Sequence, residues 1–144
     1  MAMRVLALSA LILGACASTD TGRYDPEPFK RGGLSARTLA PGQCALFVWR
    51  NDAAKTFTLF SSKEESVVHV GKETRFEPKG DPLAPDQIFD AGEREWTLTL
   101  GEPEKIETGE RYGAGTLRTV TDDGWDLVVP VIGLVSCQPE DTVS

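Results

Sequence analysis

Histidine occurs once in this chain, at His69, and cysteine three times, at Cys16, Cys44 and Cys137. One imidazole and two distant thiols with no C-x-x-C pair do not make a zinc site, which takes closely spaced ligand pairs. Excess positive charge is lacking too: 15 Lys and Arg stand against 22 Asp and Glu, for a net charge of −7. That balance excludes nucleic acid and anionic lipid surfaces as electrostatic partners, since both require basic patches. There is no G-x-S-x-G, no H-E-x-x-H, no phosphate-binding lysine loop and no dinucleotide fingerprint. The sequence therefore offers no catalytic residue, no metal set and no cofactor motif, and it reads as a non-enzyme without internal repeats.

The apolar run Val5–Leu13, broken by Ser9, falls short of the roughly 20 residues a membrane-spanning helix needs. Preceded by Arg4 and followed by Gly14-Ala15, it has the layout of a secretory signal peptide over residues 1–15. The cleavage point carries a cysteine, and Leu13-Gly14-Ala15-Cys16 resembles the bacterial lipobox. The resemblance implies a lipoprotein, with Cys16 diacylated, the leader removed and the new amino terminus acylated. Several acyl chains hold a protein durably at a bilayer, where one binds only marginally. In enteric-type sorting an aspartate after the lipidated cysteine retains the protein at the inner membrane. Ala17 stands there instead, so the resemblance implies a lipid anchor in the outer membrane, with the protein in the periplasm or at the cell surface. Removal of residues 1–15 from the 144 leaves 129 and takes one positive charge, Arg4, so the net charge of −7 becomes −8. Such acidity admits an envelope protein or a basic protein as partner, or serves solubility alone.

Residues 16–43 follow as lipidated cysteine and tether. They are rich in Gly, Pro, Ser, Thr and charge, without a sustained apolar period, and cannot offset the entropy of ordering. Leu34 and Leu39 are the residues expected to pack where the tether joins a β domain at 44–137; residues 138–144 form a tail. Within the domain the expected strands are "CALFVWR" (44–50), "KTFTLFS" (55–61), "SVVHV" (66–70), "ETRFE" (73–77), "EWTLTL" (95–100), "GTLRTVT" (115–121), "WDLVVP" (125–130) and "VIGLVSC" (131–137). Gly71-Lys72 predicts a two-residue type II′ turn and Asp123-Gly124 a type I′ turn, while Pro130 and Gly133 mark a bend, bulge or edge. The proline-rich stretch 78–93 is expected as a loop with one helical turn after Pro85. Trp49, Trp96 and Trp125 are expected as packing aromatics, and alternation turns His69 to solvent if Val68 and Val70 face the core. The fold class is all-β, a small antiparallel barrel or sandwich of about seven or eight strands. In an exported, oxidising compartment Cys44 and Cys137 are expected to form one disulfide closing the two ends of the domain.

The acidic residues (Glu64-Glu65, Glu102, Glu104, Glu107, Glu110, Asp122, Asp123 and Asp126) read as solvated surface, with the aspartates at a turn for backbone reasons. The stretch "ETGERYGAGTLR" (107–118) stands apart, because Thr108-Gly109-Glu110-Arg111-Tyr112 resembles the S-G-x-x-Y motif of the membrane-bound inhibitors of C-type lysozyme. Those are small lipobox proteins with an eight-stranded barrel and cysteines at the first core strand and near the carboxy terminus, as Cys44 and Cys137 are placed here. The resemblance implies a binding loop carrying Thr108 and Tyr112, with the Thr108 hydroxyl entering the lysozyme cleft. The family's W-x-K-G motif is absent, and "TVTDDGW" puts acid where its lysine belongs. Taken together, "QCALFVW", "GERYGAGTLR" and "DGWDLVVPVIGLVSC" also resemble small uncharacterised exported proteins of alphaproteobacteria over residues 43–137, from which no activity carries over. The sequence thus leads to a non-catalytic binding or envelope-structural module. The rival readings are an inhibitor of C-type lysozyme and an envelope enzyme without a standard motif.

Overall fold

A computed structural model describes residues 33–35, 37–53 and 55–140. The expected signal peptide, Cys16 and most of the expected tether lie outside the described residues, as do residues 141–144. Nine strands follow in chain order: β1 (Cys44–Arg50), β2 (Phe57–Ser62), β3 (Ser66–His69), β4 (Glu73–Arg75), β5 (Asp86–Ala91), β6 (Arg94–Leu100), β7 (Pro103–Ile106), β8 (Gly109–Val120) and β9 (Asp126–Cys137). All pair antiparallel in one sheet of order β4-β3-β2-β1-β9-β8-β6-β5, with β7 off that path and paired to β8. The sheet curls into a nearly closed barrel. Its two end strands are bridged by side chains: Phe76, just past β4, stacks on Phe89 of β5 with ring centroids 4.1 Å apart. The Lys79 N–H continues the bridge, donating to the Ile88 carbonyl at 3.4 Å.

The inner face follows strand alternation. Leu46 and Val48 of β1, Leu59 of β2, Trp96, Leu98 and Leu100 of β6, Leu117 of β8 and Leu127, Val129 and Val131 of β9 form one core. Leu100 seats between two strands because Gly115 and Gly133 leave it room; a Cβ on either would come within 2.6 Å of its methyl carbons. A second, smaller cluster lies on the outer face of β1, β2 and β3, where Leu34 covers Ala45, Phe60 and Val67, with Leu39 and Phe47 packed against it. Cys44 and Cys137 are paired in register and disulfide-bonded, joining the first residue of β1 to the last of β9.

Several local expectations give way. Residues 78–93 are not a loop with a helical turn after Pro85: β5 begins at Asp86, with Gln87, Phe89 and Ala91 inward and Ile88 outward. A glutamine can face inward there because its amide donates to the Pro82 and Ala84 carbonyls at 2.7 and 3.0 Å. His69 is buried at 8% exposure rather than solvent-facing, because this part of the barrel is covered outside as well as inside. Trp125 is not a packing residue; it stands 70% exposed at the β8–β9 turn. That turn is longer than a two-residue type I′ connection. Thr121 and Trp125 bond across Asp122-Asp123-Gly124, with Gly124 at φ 82°, the three-residue hairpin that places glycine at the left-handed position. The β3–β4 connection likewise spans three residues, Val70 to Lys72, between the His69 and Glu73 pair. The strands expected at 125–130 and 131–137 are one, with Pro130 a single residue past the last β1–β9 pair, where no N–H is needed.

Candidate functional site

The β1–β9 register puts Phe47 opposite Leu134 and Trp49 opposite Ile132 on the outer face, with Ser136 opposite Ala45. From β2, Phe57 meets both aromatics, with ring centroids 6.2 Å from Phe47 and 6.0 Å from Trp49. Tilted and edge-on contacts of this kind suit the ring quadrupoles. They leave Phe57 42% exposed. The segment 37–39 runs alongside as a wall, so the outer face of β1 carries an open groove of about 730 Å³ with Leu39, Phe47, Trp49, Phe57 and Leu134 as its apolar surface. Thr38, Ser136 and Gln138 supply polar atoms, and Arg37 and Lys55 supply charge. A small-molecule site typically occupies about 300 to 1,000 Å³ and combines apolar walls with a few polar groups.

The wall is held by specific bonds. The Leu34 N–H donates to the Phe57 carbonyl at 3.0 Å, and the Ser35 N–H donates to Glu73 Oε1 at 3.1 Å. Arg37 lies 3.3 Å from Glu73 and 3.7 Å from Glu65. The Ser35 N–H, assisted by the Arg37 guanidinium, outweighs desolvation and holds the Glu73 carboxyl below the usual carboxylate range. Arg37 Nε makes no hydrogen bond among the described residues. Lys55 adopts φ 44°, the one non-glycine residue described at positive φ, with its N–H on Asp52.

The other large concavity differs in sign. It covers the outer face of β6, β8 and β9, occupies about 640 Å³, and includes Glu93, Glu95, Asp122 and Asp126 against Arg94 and Arg118. Its acids are partly neutralised, Arg94 lying 3.0 Å from Asp122 and Arg118 3.3 Å from Asp126. Among the described residues no three His, Cys, Asp or Glu side chains converge as a metal site.

The two residues named from the lysozyme-inhibitor motif part company. Thr108 is exposed in the two-residue turn between β7 and β8, where its carbonyl accepts the Cys137 N–H at 3.0 Å. Tyr112 is a core residue, 3% exposed, whose hydroxyl donates to Glu110 Oε2 at 3.0 Å. Burial, with the Glu110 carboxylate beside it, pushes the Tyr112 phenol above its ordinary value. Asp122 and Asp123, which occupy the place of the family's lysine in sequence, follow the last residue of β8, whereas Thr108 precedes its first. Across the strand's 12 residues the two positions lie on the order of 35 Å apart. The aromatic groove itself was not singled out from sequence. Its signal was the outward set Phe47, Trp49 and Phe57, which ordinary strand composition conceals.

Comparison of the chain with protein-family models, curated proteins and solved structures finds no match.

Proposed function

We propose that this chain is an outer-membrane lipoprotein, anchored through acyl chains on Cys16, whose β domain is a non-catalytic binding module that presents the aromatic groove to the envelope. The observation that carries the reading is the groove: three aromatic rings grouped on the outside of a barrel whose inner core is already complete, walled by a latched segment. Apolar surface exposed in this way marks interaction sites more often than it serves stability. The lipobox resemblance supplies the anchor, and the acidic surface suits a soluble module held near a membrane.

Two experiments test the two halves. Cys16→Ala should abolish incorporation of a fatty-acid analogue in metabolic labelling and leave a mislocalised precursor; equal labelling of the variant overturns the anchor. A photoreactive phenylalanine analogue at position 57 should give a discrete adduct in the intact envelope, while the same analogue at exposed Ile88 should not. Identical patterns at both positions overturn the module. A second reading, inhibition of C-type lysozyme, is favoured only by the exposure of Thr108 at a turn pinned beside the disulfide.

A further inference from the structure

The groove's charge runs against that of the molecule. On a chain with net charge −7, none of its lining residues is acidic and two, Arg37 and Lys55, are basic, whereas the concavity over β6, β8 and β9 is lined by four acids and two arginines. Lys55 makes no ion pair among the described residues, so its ammonium is available to an anion, whereas Arg37 is already held by Glu65 and Glu73. The apolar surface also continues beyond the groove. Arg37, Phe47 and Phe57 are shared with a narrower niche of about 100 Å³, closed by Leu34, Leu59 and Phe60. An apolar tail lying in the groove therefore has a dry place for its end, and the free cation, Lys55, lines the groove but not the niche.

Strand topology selects the kind of occupant. Strand β1, the floor of the groove, is bonded along its length to β2 and β9, leaving no row of backbone donors and acceptors for an incoming peptide strand. Peptide recognition by strand addition needs such an edge. Recognition must instead come from rings, a few hydroxyl and amide groups, and charge. Gly33, seventeen residues after Cys16, packs against the backbone of the groove residue Phe57. Seventeen residues span at most about 60 Å, which keeps the groove within reach of the bilayer's lipids.

We propose that the groove binds a single-chain anionic amphiphile, an acyl chain bearing a carboxylate, with the tail along Phe47 and Phe57 and the carboxylate met by Lys55. This ligand class rests on the binding-module reading. The test titrates dodecanoate, below its micellar concentration, into the full chain and follows backbone amide shifts. Saturable shifts are expected in β1, at the start of β2 and along 134–138. Dodecyltrimethylammonium, with the same tail and opposite charge, should bind about tenfold more weakly. Lys55→Glu should weaken dodecanoate binding about fivefold while leaving the melting midpoint unchanged. Ser136→Trp, which fills the groove without touching the charges, should abolish it. Equal binding of the two amphiphiles, or shifts centred on Thr97 and Thr116, overturns the inference. If dodecanoate causes no shift while the photoreactive residue at position 57 captures an envelope protein, the ligand class falls and the module stands. If neither occurs, both fall.

Discussion

Gly109 opens β8 directly after the β7–β8 turn with φ 157°, and a Cβ there would overlap the Val135 carbonyl oxygen. The clash is with backbone in a paired strand, so it cannot be relieved by rotating a side chain. Gly109→Ala should therefore cost about 2 kcal/mol, on the order of 10 °C in Tm for a domain of this size. Gly113→Ala, where nothing lies within 4 Å, should stay within about 0.5 kcal/mol. Circular dichroism melts of the oxidised proteins decide this, and equal midpoints for the two variants would contradict the close approach. Tyr112 gives a second residue-scale expectation. Its burial and its bond to Glu110 favour the neutral phenol, so phenolate absorbance, isolated by difference against Tyr112→Phe, should appear at higher pH than the ordinary tyrosine value near 10.0. A raised folded-state value means that this contribution to stability is whole below about pH 10 and is lost as pH climbs through the folded value. Glu110→Gln should bring the titration part of the way back; an ordinary value in the parent protein would refute the buried phenol. Sequence singled out Tyr112 as a binding-loop residue, whereas the structure places it in the core. A tyrosine within a short motif looks the same whether it meets a partner or the core, and only the register that points it inward tells them apart. His69 is the same case, because alternation cannot reveal that the outer face of a strand is also covered.

Strands β1 and β6 were legible almost to the residue, β1 as a short apolar run and β6 because Trp96, Leu98 and Leu100 alternate cleanly with their neighbours. Strand β5 was not. Pro78, Pro82 and Pro85 dominate the stretch, and the buried Gln87 beside the exposed Ile88 inverts the polarity that alternation relies on. The compensating bonds to the Pro82 and Ala84 carbonyls exist only once the preceding loop has folded back. The Cys44–Cys137 pairing was legible because an expected exported location, with Cys16 set aside for lipid, left two thiols with one partner each. Its register between β1 and β9 adds that the bond joins neighbouring strands across a sequence separation of 93. Closing a loop of that size stabilises by about 4 to 5 kcal/mol on the chain-entropy model. Urea unfolding with and without reductant should show a loss of about that size, and a difference under about 1 kcal/mol would mean that the β1–β9 ladder holds the ends without help.

At the scale of the whole molecule, sequence left barrel and sandwich equally open, because strand patterns alone do not say whether one sheet curls or two sheets stack. Closure depends on Phe76 and Phe89 meeting across the ends of the sheet, a long-range contact with no local signature. The barrel also decides what the lysozyme-inhibitor resemblance can do. An acidic domain attracts a basic enzyme, but attraction between separated surface charges is screened within about 8 to 10 Å at physiological salt. Tight inhibition needs donors fixed at the catalytic carboxylates. Thr108 offers one hydroxyl; Tyr112 is buried, and Asp122 and Asp123 lie at the other end of β8. The nearby Lys105 stands opposite Glu110 in register and beside Glu104, which is itself bonded to Arg111 at 2.5 Å, so the turn presents more acid than base to an enzyme carboxylate. The purified, oxidised protein is therefore expected not to inhibit C-type lysozyme at submicromolar concentration in a cell-wall turbidity assay at physiological salt. Weak, non-saturating effects that vanish as salt rises are the only ones the charge distribution supports. Saturable inhibition that survives physiological salt and is lost on Thr108→Ala would show that the exposed turn acts alone, and would move the functional site from the aromatic groove to the disulfide end of the barrel.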